Sequence, residues 1–434
     1  MISQNEINQL KPFEARAIIE ELRKGTVPME HVPLFTVGRK KWFSFIEDDF
    51  DHYISEGGSK VRFISGDYGD GKTHFMSLIR HLAMKKKFAV SFVILTREVP
   101  IHKFEIIYQT IVRQLRGDFK GIGIRNLLAA WLEALVSIKD KNKSLKKADN
   151  RKALASELRD IQGMDINFAN GLIALINNRF APIKTEMEDN READLEILMH
   201  WFEGGKVTKR ELKPFQIYEF LNKINSRQFL NSLILFLRKT GHKGLVLLMD
   251  EMETVMAQSA SIRNAAYENV RLLIDNSESS EYIHIFFSIT PEILTSEKGF
   301  KSYDALWSRI RTIGDSTRLN YRGVLVDIHR TPLKTQELIE LGKNLRTIHA
   351  SSYRWDAKKF IGDKILLDIC TNQKQMGVLS EVRLYIKQVI RILDIAEEEG
   401  QLPEDIKLDQ QIQETKKEME TEKLKKAEPS WDSK

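Results

Sequence analysis

Residues 61–82 read VRFISGDYGDGKTHFMSLIRHL. The apolar run VRFIS predicts a buried strand, and the residues after position 73 have the periodicity of a helix. Between them, GDYGDGKT has the spacing of a phosphate-binding loop, with a glycine, four residues and then Gly-Lys-Thr. Because this motif requires a strand before it and a helix after it, its context is complete. The stretch predicts an α/β protein with a parallel-sheet P-loop NTPase core.

The loop residues suggest how a nucleotide would be held. Glycines allow backbone N–H groups to surround phosphate oxygens, Lys72 reaches the outer phosphates, and the Thr73 hydroxyl ligates Mg²⁺. Asp67 and Asp70 would bring negative charge close to the phosphates, so we expect them to point outward or to approach the metal. The candidate nucleotide-binding residues of the loop are Gly66, Asp67, Tyr68, Gly69, Asp70, Gly71, Lys72, Thr73 and His74.

A second motif, GLVLLMDEME at residues 244–253, is an apolar strand that ends in carboxylates. Asp250 is the candidate Mg²⁺ ligand, and Glu251 is the candidate general base that polarises the attacking water. A strand-to-helix cap would explain such a pattern if it stood alone, but it follows an intact phosphate loop. For Glu253 we favour a role at a helix start over a catalytic one.

Three further side chains are candidate catalytic residues. Thr290 ends the apolar run IHIFFSIT, where it could contact the γ-phosphate or simply cap a helix. Arg309, with Arg311 in reserve, could reach the nucleotide of a neighbouring subunit or form a surface salt bridge. Arg383, in EVRLYIKQVI, could contact nucleotide within its own chain or be an ordinary surface arginine. Gly38 and Arg39 form a candidate turn beside the adenine.

The remaining patterns predict the overall organisation. Apolar runs predict five strands at 61–65, 89–95, 244–249, 283–289 and 323–328. The first helix is expected to carry Phe13, Ala17, Ile18 and Leu22 on one face. The predicted segments are an N-terminal helix and linker (1–33), the first part of the ATPase core (34–117), a helical insertion (118–240), the second part of the core (241–335), a helical lid (336–408) and a charged flexible tail (409–434).

Composition limits the class of protein. Hydrophobic residues make up 42% and charged residues 29% of the chain, which is typical of a globular protein rather than a disordered or membrane protein. One cysteine and the lack of an apolar leader lead us to expect a cytoplasmic protein without a membrane partner. The net charge of +6 is a mild basic excess. Basic runs at 39–41, 85–87 and 141–152 could contact DNA, although solvated surface is their simpler interpretation.

The order of VGR, GDYGDGKT, the acidic strand, ITPE, YDALWSR and EVR is similar to that of AAA+ ATPases. More narrowly, ARAIIEELRKGTVP, GDYGDGKTHFM, HWFEGG and GHKGLVLLMDEMETV resemble the ATP-binding proteins of the BREX phage-defence family, BrxD type, over residues 13 to about 395. This resemblance implies an AAA+-like ATPase that uses ATP and Mg²⁺. It also implies a homo-oligomer that engages double-stranded DNA and works with helicase-like or other defence-system proteins.

Two functions from different classes follow. The first is an ATP-hydrolysing, DNA-associated defence protein. The alternative is a slow nucleotide-dependent switch, comparable to a target selector or a signalling ATPase, that acts through protein partners. A nucleotide kinase is disfavoured because the sequence shows no constellation that would bind a phosphate acceptor.

Overall fold

The computed structural model describes residues 7, 9–137, 144–182, 190–275, 280–311, 318–375, 381–400 and 417. A five-stranded, all-parallel sheet has the order β2-β3-β4-β1-β5. Its strands are β1 (Ser59–Ser65), β2 (Ala89–Ile94), β3 (Leu245–Asp250), β4 (Ile283–Ile289) and β5 (Leu325–Asp327). All five predicted strands are therefore present, and the predicted α/β class is confirmed.

The composition of the central strands explains their position. Every residue of β3 and β4 is buried, and β3 pairs in register with β2 (Ala89 opposite Leu245) and with β4 (Leu245 opposite Ile283). A parallel strand buried on both faces needs helices on both sides of the sheet, which is why these strands are apolar runs without alternation. Because the strands are parallel, their carboxyl ends share one edge.

Helices account for most of the other residues. In chain order they are α1 (Pro12–Arg23), α2 (Lys40–His52), α3 (Lys72–Lys85), α4 (Phe104–Gln114), α5 (Ile124–Ser137), α6 (Ala148–Arg159), α7 (Ile166–Phe180), α8 (Arg191–Phe202), α9 (Lys209–Leu212), α10 (Ser226–Lys239), α11 (Ala260–Asp275), α12 (Pro291–Thr295), α13 (Asp304–Ile310), α14 (Thr335–Tyr353), α15 (Ala357–Phe360), α16 (Asp363–Gln375) and α17 (Val382–Glu399). None of the described helices has the combination of length and apolar character that crossing a bilayer requires.

The chain divides into two compact units. The first unit comprises Met1–Phe43, Ser65–His81 and Asp327–Lys434. Its core is helical: α1 packs on α14, and α14 also contacts α16 and α17. The phosphate loop belongs to this unit.

The second unit comprises Ser44–Ile64 and Leu82–Val326. It contains the whole sheet except the last residues of β1 and β5. Between β2 and β3 the described chain carries the helices α4 to α10, and the assignment of residues 118–240 as an insertion stays a prediction. One hydrophobic cluster joins strand residues such as Leu247 to helix residues such as Phe168 and Phe236. The inserted helices therefore share the core of the sheet.

One detail of the first helix was predicted wrongly. Ile18 and Leu22 are buried as expected, but Phe13 is 82% exposed. The buried stripe is Ala15, Ile18, Ile19 and Leu22, which has the spacing of one helix face, and Phe13 lies outside it. The segment boundaries, including the tail from residue 409, stay predictions, since all of the tail except Lys417 lies outside the described residues.

Candidate nucleotide-binding site

The phosphate loop lies between β1 and α3 and depends on its glycines. Gly69 and Gly71 have φ values of 101° and 90°, which side chains other than hydrogen rarely allow. A Cβ at Gly66 would lie 2.7 Å from Cγ1 of Ile328. The three glycines are thus needed for the curvature of the loop and for its close packing, as expected of a loop whose backbone faces phosphates.

Lys72 is the buried cation of this loop. Its Nζ donates hydrogen bonds to the carbonyl oxygens of Gly66 (2.8 Å) and Asp67 (3.4 Å), and it lies 4.9 Å from the centre of the Tyr68 ring. These contacts place a positive charge inside the curve of the loop, where it can bind phosphate oxygens. Thr73 follows in the first turn of α3, at the position expected for a metal-ligating hydroxyl.

Asp70 is buried within the loop, so the expectation that it points outward is wrong, whereas an approach to the metal stays a prediction. Its buried carboxylate accepts hydrogen bonds from the backbone N–H of Asp67 (2.8 Å) and from Nδ1 of His329 (3.0 Å). The exposed carboxylate of Asp67 lies 3.2 Å from the same ring nitrogen. Asp70 therefore fixes the shape of the loop, because its side chain bonds the loop's own backbone.

Ring and guanidinium groups around the loop have shifted pKa values. The hydrogen bond to Asp70 raises the pKa of His329 above its ordinary value. Burial lowers the pKa of His74 to about 3, with a smaller contribution from the charge of Arg39, so His74 is neutral near pH 7. His74 lies 3.0 Å from the hydroxyl of Thr36. Its role is therefore packing beside the loop rather than charge neutralisation.

Gly38 and Arg39 are part of the same unit. Arg39 donates from Nη2 to the carbonyl oxygen of Asp70 (2.7 Å), and burial lowers its pKa to about 10. Gly38 has a φ of 70°, and a Cβ there would lie 2.6 Å from Leu333. This turn is therefore hydrogen-bonded to the backbone of the phosphate loop. Its contact with the adenine stays a prediction.

The last described helix contacts the loop through Arg383. The backbone N–H of Arg383 donates to the carbonyl oxygen of Gly69 (3.3 Å), and a Cβ at Gly69 would lie 3.8 Å from the Cβ of Arg383. The amino end of α17 is therefore in contact with the phosphate loop. A contact between the Arg383 side chain and a nucleotide within the same chain stays a prediction.

In the second unit, Asp250 ends β3 and is buried. The hydroxyl of Ser288 donates a short hydrogen bond to Oδ1 of Asp250. The backbone N–H of Glu251 donates to the same Oδ1 (3.0 Å) and to Oγ of Ser288 (2.9 Å). The carboxylate of Asp250 is thus oriented by its own backbone and by the neighbouring strand.

Glu251 has an unusual backbone conformation. Its φ of 64° and ψ of 42° place it in the left-handed region, which costs a non-glycine residue roughly 1–2 kcal/mol. The bonds to Asp250 and Ser288 hold it there, and its side chain is exposed. Strain of this kind concentrates at functional sites. Glu253, in contrast, is buried in the first turn of the 3-10 helix Met252–Ala257, as its predicted helix-start role requires.

Thr290 follows β4 and does not act as a side-chain cap. It precedes α12, but its hydroxyl makes no cap hydrogen bond. Within the described residues this buried Oγ1 has no hydrogen-bond partner at all. A buried hydroxyl without a partner costs about 1–3 kcal/mol, so the cap interpretation is disfavoured and a ligand or water partner becomes the better explanation.

Arg309 is held by a carboxylate of its own chain. Its Nε and Nη2 donate to the two oxygens of Asp275, the second at 2.8 Å, and Nη1 donates to the carbonyl of Ala305. Asp275 also pairs with Arg271 (2.6 Å). The predicted salt-bridge alternative therefore describes this geometry, and a role in a neighbouring subunit requires Arg309 to leave Asp275. Arg311 is exposed at the end of α13.

The basic runs that suggested DNA contacts are partly neutralised. Lys86 pairs with Glu47 (2.9 Å) and Asp51 (2.6 Å), whereas Arg39 donates to the backbone carbonyl of Asp70. In the third run, residues 141–143 lie outside the described part of the chain, and Lys152 lies 3.8 Å from Asp149. The DNA contacts of these runs stay a prediction.

The sequence did not identify Ser288 or His329. A serine inside the apolar strand IHIFFSI was the available signal for Ser288, because a buried hydroxyl needs a partner. No local pattern marks His329, which meets Asp70 across 259 residues of chain.

A parallel sheet with helices around it, and a glycine loop that encloses a lysine between a strand and a helix, is the architecture of a P-loop nucleoside-triphosphate-binding protein. Within this class, the chain belongs to the family of the BREX system ATP-binding protein BrxC/D, whose family model matches residues 10–416. The family description makes it an ATP-binding protein of a BREX phage-defence system. Comparisons with curated proteins and with solved structures gave no match.

Proposed function

We propose that this protein is a Mg²⁺-dependent, AAA+-like ATPase that hydrolyses ATP to ADP and phosphate as part of its role in phage defence. The observation that carries the proposal is the phosphate loop, which is turned by the positive-φ residues Gly69 and Gly71 and whose carbonyls bond the buried ammonium of Lys72. The acidic end of β3 adds the groups that hydrolysis needs, namely a metal-binding carboxylate and a general base.

The residues present suit Mg²⁺. Thr73 and Asp250 offer the oxygen donors that this ion prefers, and Asp250 is already oriented by Ser288. Bound Mg²⁺ would neutralise charge on the β- and γ-phosphates. Glu251 would accept a proton from the attacking water, Lys72 would hold the γ-phosphate, and the Thr290 hydroxyl would orient that phosphate or the water. Arg309 would stabilise the transferred charge from a neighbouring subunit.

Nucleotide binding is tested with Lys72→Ala, which removes the cation from the loop. Lys85→Ala is the matched control, because Lys85 is exposed at the other end of the same helix. By isothermal titration calorimetry, the first variant should lose most of its ATP affinity and the second should bind like wild type. Unchanged ATP binding by correctly folded Lys72→Ala protein would remove this loop from the proposal.

Hydrolysis is tested with Glu251→Gln, which should still bind ATP while turnover falls about a hundredfold or more. Glu281→Gln, at an exposed position before β4, is the control. The double variant Lys72→Ala/Glu251→Gln should bind as poorly as Lys72→Ala, since both residues are proposed to serve one nucleotide. Wild-type turnover in Glu251→Gln would mean that another residue is the general base, with Glu253 as the next candidate.

We further propose that the protein acts in the cytoplasm as a homo-oligomer that associates with DNA and with helicase-like or other defence-system proteins. This part of the proposal rests on what the sequence resemblance implies. ATPase rates with and without duplex DNA provide the test, with stimulation as the expected result. Slow turnover that DNA leaves unchanged would favour the alternative, a nucleotide-dependent switch that acts through protein partners.

A further inference from the structure

The chain between α9 and α10 exposes aromatic side chains to solvent. Tyr218 is 65% exposed and Phe220 is 38% exposed. Residues 217–222, which contain both, form neither helix nor strand. Large exposed rings that lie this close together in a chain are a mark of a binding surface rather than of a core.

The backbone beneath these rings is fixed by buried polar groups. The N–H of Tyr218 donates to Oδ1 of Asn167 (2.8 Å). The carbonyl of Glu219 accepts from Nε1 of Trp201 (3.0 Å), and the carbonyl of Phe220 accepts from Nδ2 of Asn225 (3.0 Å). Because three successive residues are bonded to the body of the helical region, the rings are presented by a defined backbone.

The same segment carries concentrated positive charge. Residues 206–224, called here the 206–224 segment, contain five cationic and two acidic side chains, a net charge of +3, against +6 for the whole chain. The cationic residues are Lys206, Lys209, Arg210, Lys213 and Lys223, all exposed. None of the five pairs with a carboxylate in the part of the chain that the structure describes. Glu211 bonds Thr208 instead (2.8 Å to the backbone N–H).

We propose that the 206–224 segment binds single-stranded DNA, with the cations on phosphates and the rings of Tyr218 and Phe220 stacked on bases. Exposed rings combined with unpaired cations are what single-strand binding surfaces use. Duplex DNA hides the faces of its bases, so it would leave the rings without partners. Lysine is depleted in protein–protein interfaces, which disfavours a protein as the occupant. The inference rests on the proposed DNA association and gives it a location.

Fluorescence anisotropy of a labelled oligothymidine, titrated with the full-length protein at low salt, tests the stacking. Tyr218→Leu and Phe220→Leu should each weaken binding by about tenfold, whereas Tyr218→Phe should bind like wild type because it keeps the ring. Phe13→Leu is the matched control, since Phe13 is an even more exposed ring outside this segment. A blunt duplex of the same length should bind more weakly and should not respond to Tyr218→Leu.

The charge is tested with Lys209→Ala/Lys213→Ala. Loss of two phosphate contacts should lower the slope of log affinity against log salt by about 1.4. The control is Lys358→Ala/Lys364→Ala, which removes two exposed lysines from the first unit. That pair should leave the slope unchanged.

Three results would overturn the inference. If Tyr218→Leu and Lys209→Ala/Lys213→Ala both leave oligothymidine binding unchanged, the 206–224 segment is not the DNA-binding surface. The proposed DNA association would still stand in that case. An absence of binding to any DNA at low salt would remove the proposed DNA association as well. Unchanged DNA binding together with altered self-association of Tyr218→Leu in sedimentation experiments would make the segment a protein contact.

Discussion

Ser288 donates its hydroxyl hydrogen to Asp250 and accepts a hydrogen bond from the backbone N–H of Glu251. One serine on β4 therefore orients both acidic residues at the end of β3. These two hydrogen bonds explain why a polar serine lies within an otherwise apolar strand.

Ser288→Ala should lower kcat by about tenfold with little change in ATP affinity, because misplaced catalytic groups affect the chemical step more than binding. Ser91→Ala is the control: Ser91 is a buried strand serine bonded only to the carbonyl of Ile111 (3.0 Å) in the described residues. Steady-state ATPase kinetics and a separate ATP titration measure the two quantities. If Ser288→Ala and Ser91→Ala lower kcat equally, the role of Ser288 is structural only.

Arg309 and Asp275 should differ in their importance for turnover. If Arg309 acts on the nucleotide of a neighbouring subunit, Arg309→Ala lowers kcat about a thousandfold, whereas Asp275→Ala, which frees the arginine, leaves kcat close to wild type. A purely structural ion pair predicts similar losses in both variants. Mixing Arg309→Ala with Lys72→Ala protein should also restore part of the ATPase activity, and failure of rescue at every ratio would contradict the intersubunit role.

The contact between His329 and Asp70 should make nucleotide affinity depend on pH. Because the hydrogen bond to Asp70 raises the pKa of His329, the charged contact is complete below the ordinary value of 6.5 and is lost as pH rises through the raised value. Because a protonated His329 would add positive charge at the phosphate loop, wild-type protein should bind the anionic ADP more tightly at pH 6 than at pH 8.5. The ratio of these affinities should approach one in His329→Gln and stay at the wild-type value in His200→Gln, an exposed control.

His284 should make the protein sensitive to acid. It lies fully buried on β4 between the rings of Phe50 and Phe286, and burial lowers its pKa well below 6.5. The unfolded chain therefore binds a proton that the folded protein excludes, and stability falls below pH 6.5 by up to about 1.4 kcal/mol per pH unit.

His284→Phe should flatten this dependence, which thermal unfolding between pH 5 and 8 would show as a smaller loss of melting temperature. Neither ring nitrogen of His284 has a hydrogen-bond partner in the described residues. The variant should therefore be at least as stable as wild type at pH 8. An unchanged acid slope would assign the sensitivity to other groups.

Local signals allowed much of the fold to be predicted. Each of the five strands is a short apolar run, and the phosphate loop is a contiguous motif, so neighbouring residues were sufficient to identify them. Contacts between distant residues were not accessible in this way. Ser288 meets Asp250 across 38 residues, and His329 meets Asp70 across 259, with no periodic pattern to mark either pair.

The direction of individual side chains was equally hard to predict. Asp70 was expected to point outward or to approach the metal, and the first alternative is wrong because its carboxylate is buried against the N–H of Asp67 and the ring of His329. Arg309 was open between two roles because Asp275, its partner, lies on a different helix. In both cases a deciding partner, His329 or Asp275, is absent from the local sequence.

The first unit is assembled from the beginning and the end of the chain. Arg23 in α1 is bonded to Asp394 in α17 (2.8 Å), and Gly69 in the phosphate loop accepts a hydrogen bond from the N–H of Arg383. At a ribosomal rate of roughly 5–20 residues per second, the roughly 300 residues that separate the loop from α17 take about 15–60 s to synthesise. Throughout this time the apolar face of α1 lacks its final partners, so the nascent chain needs protection from aggregation. The first unit can be completed only after α17 has been synthesised.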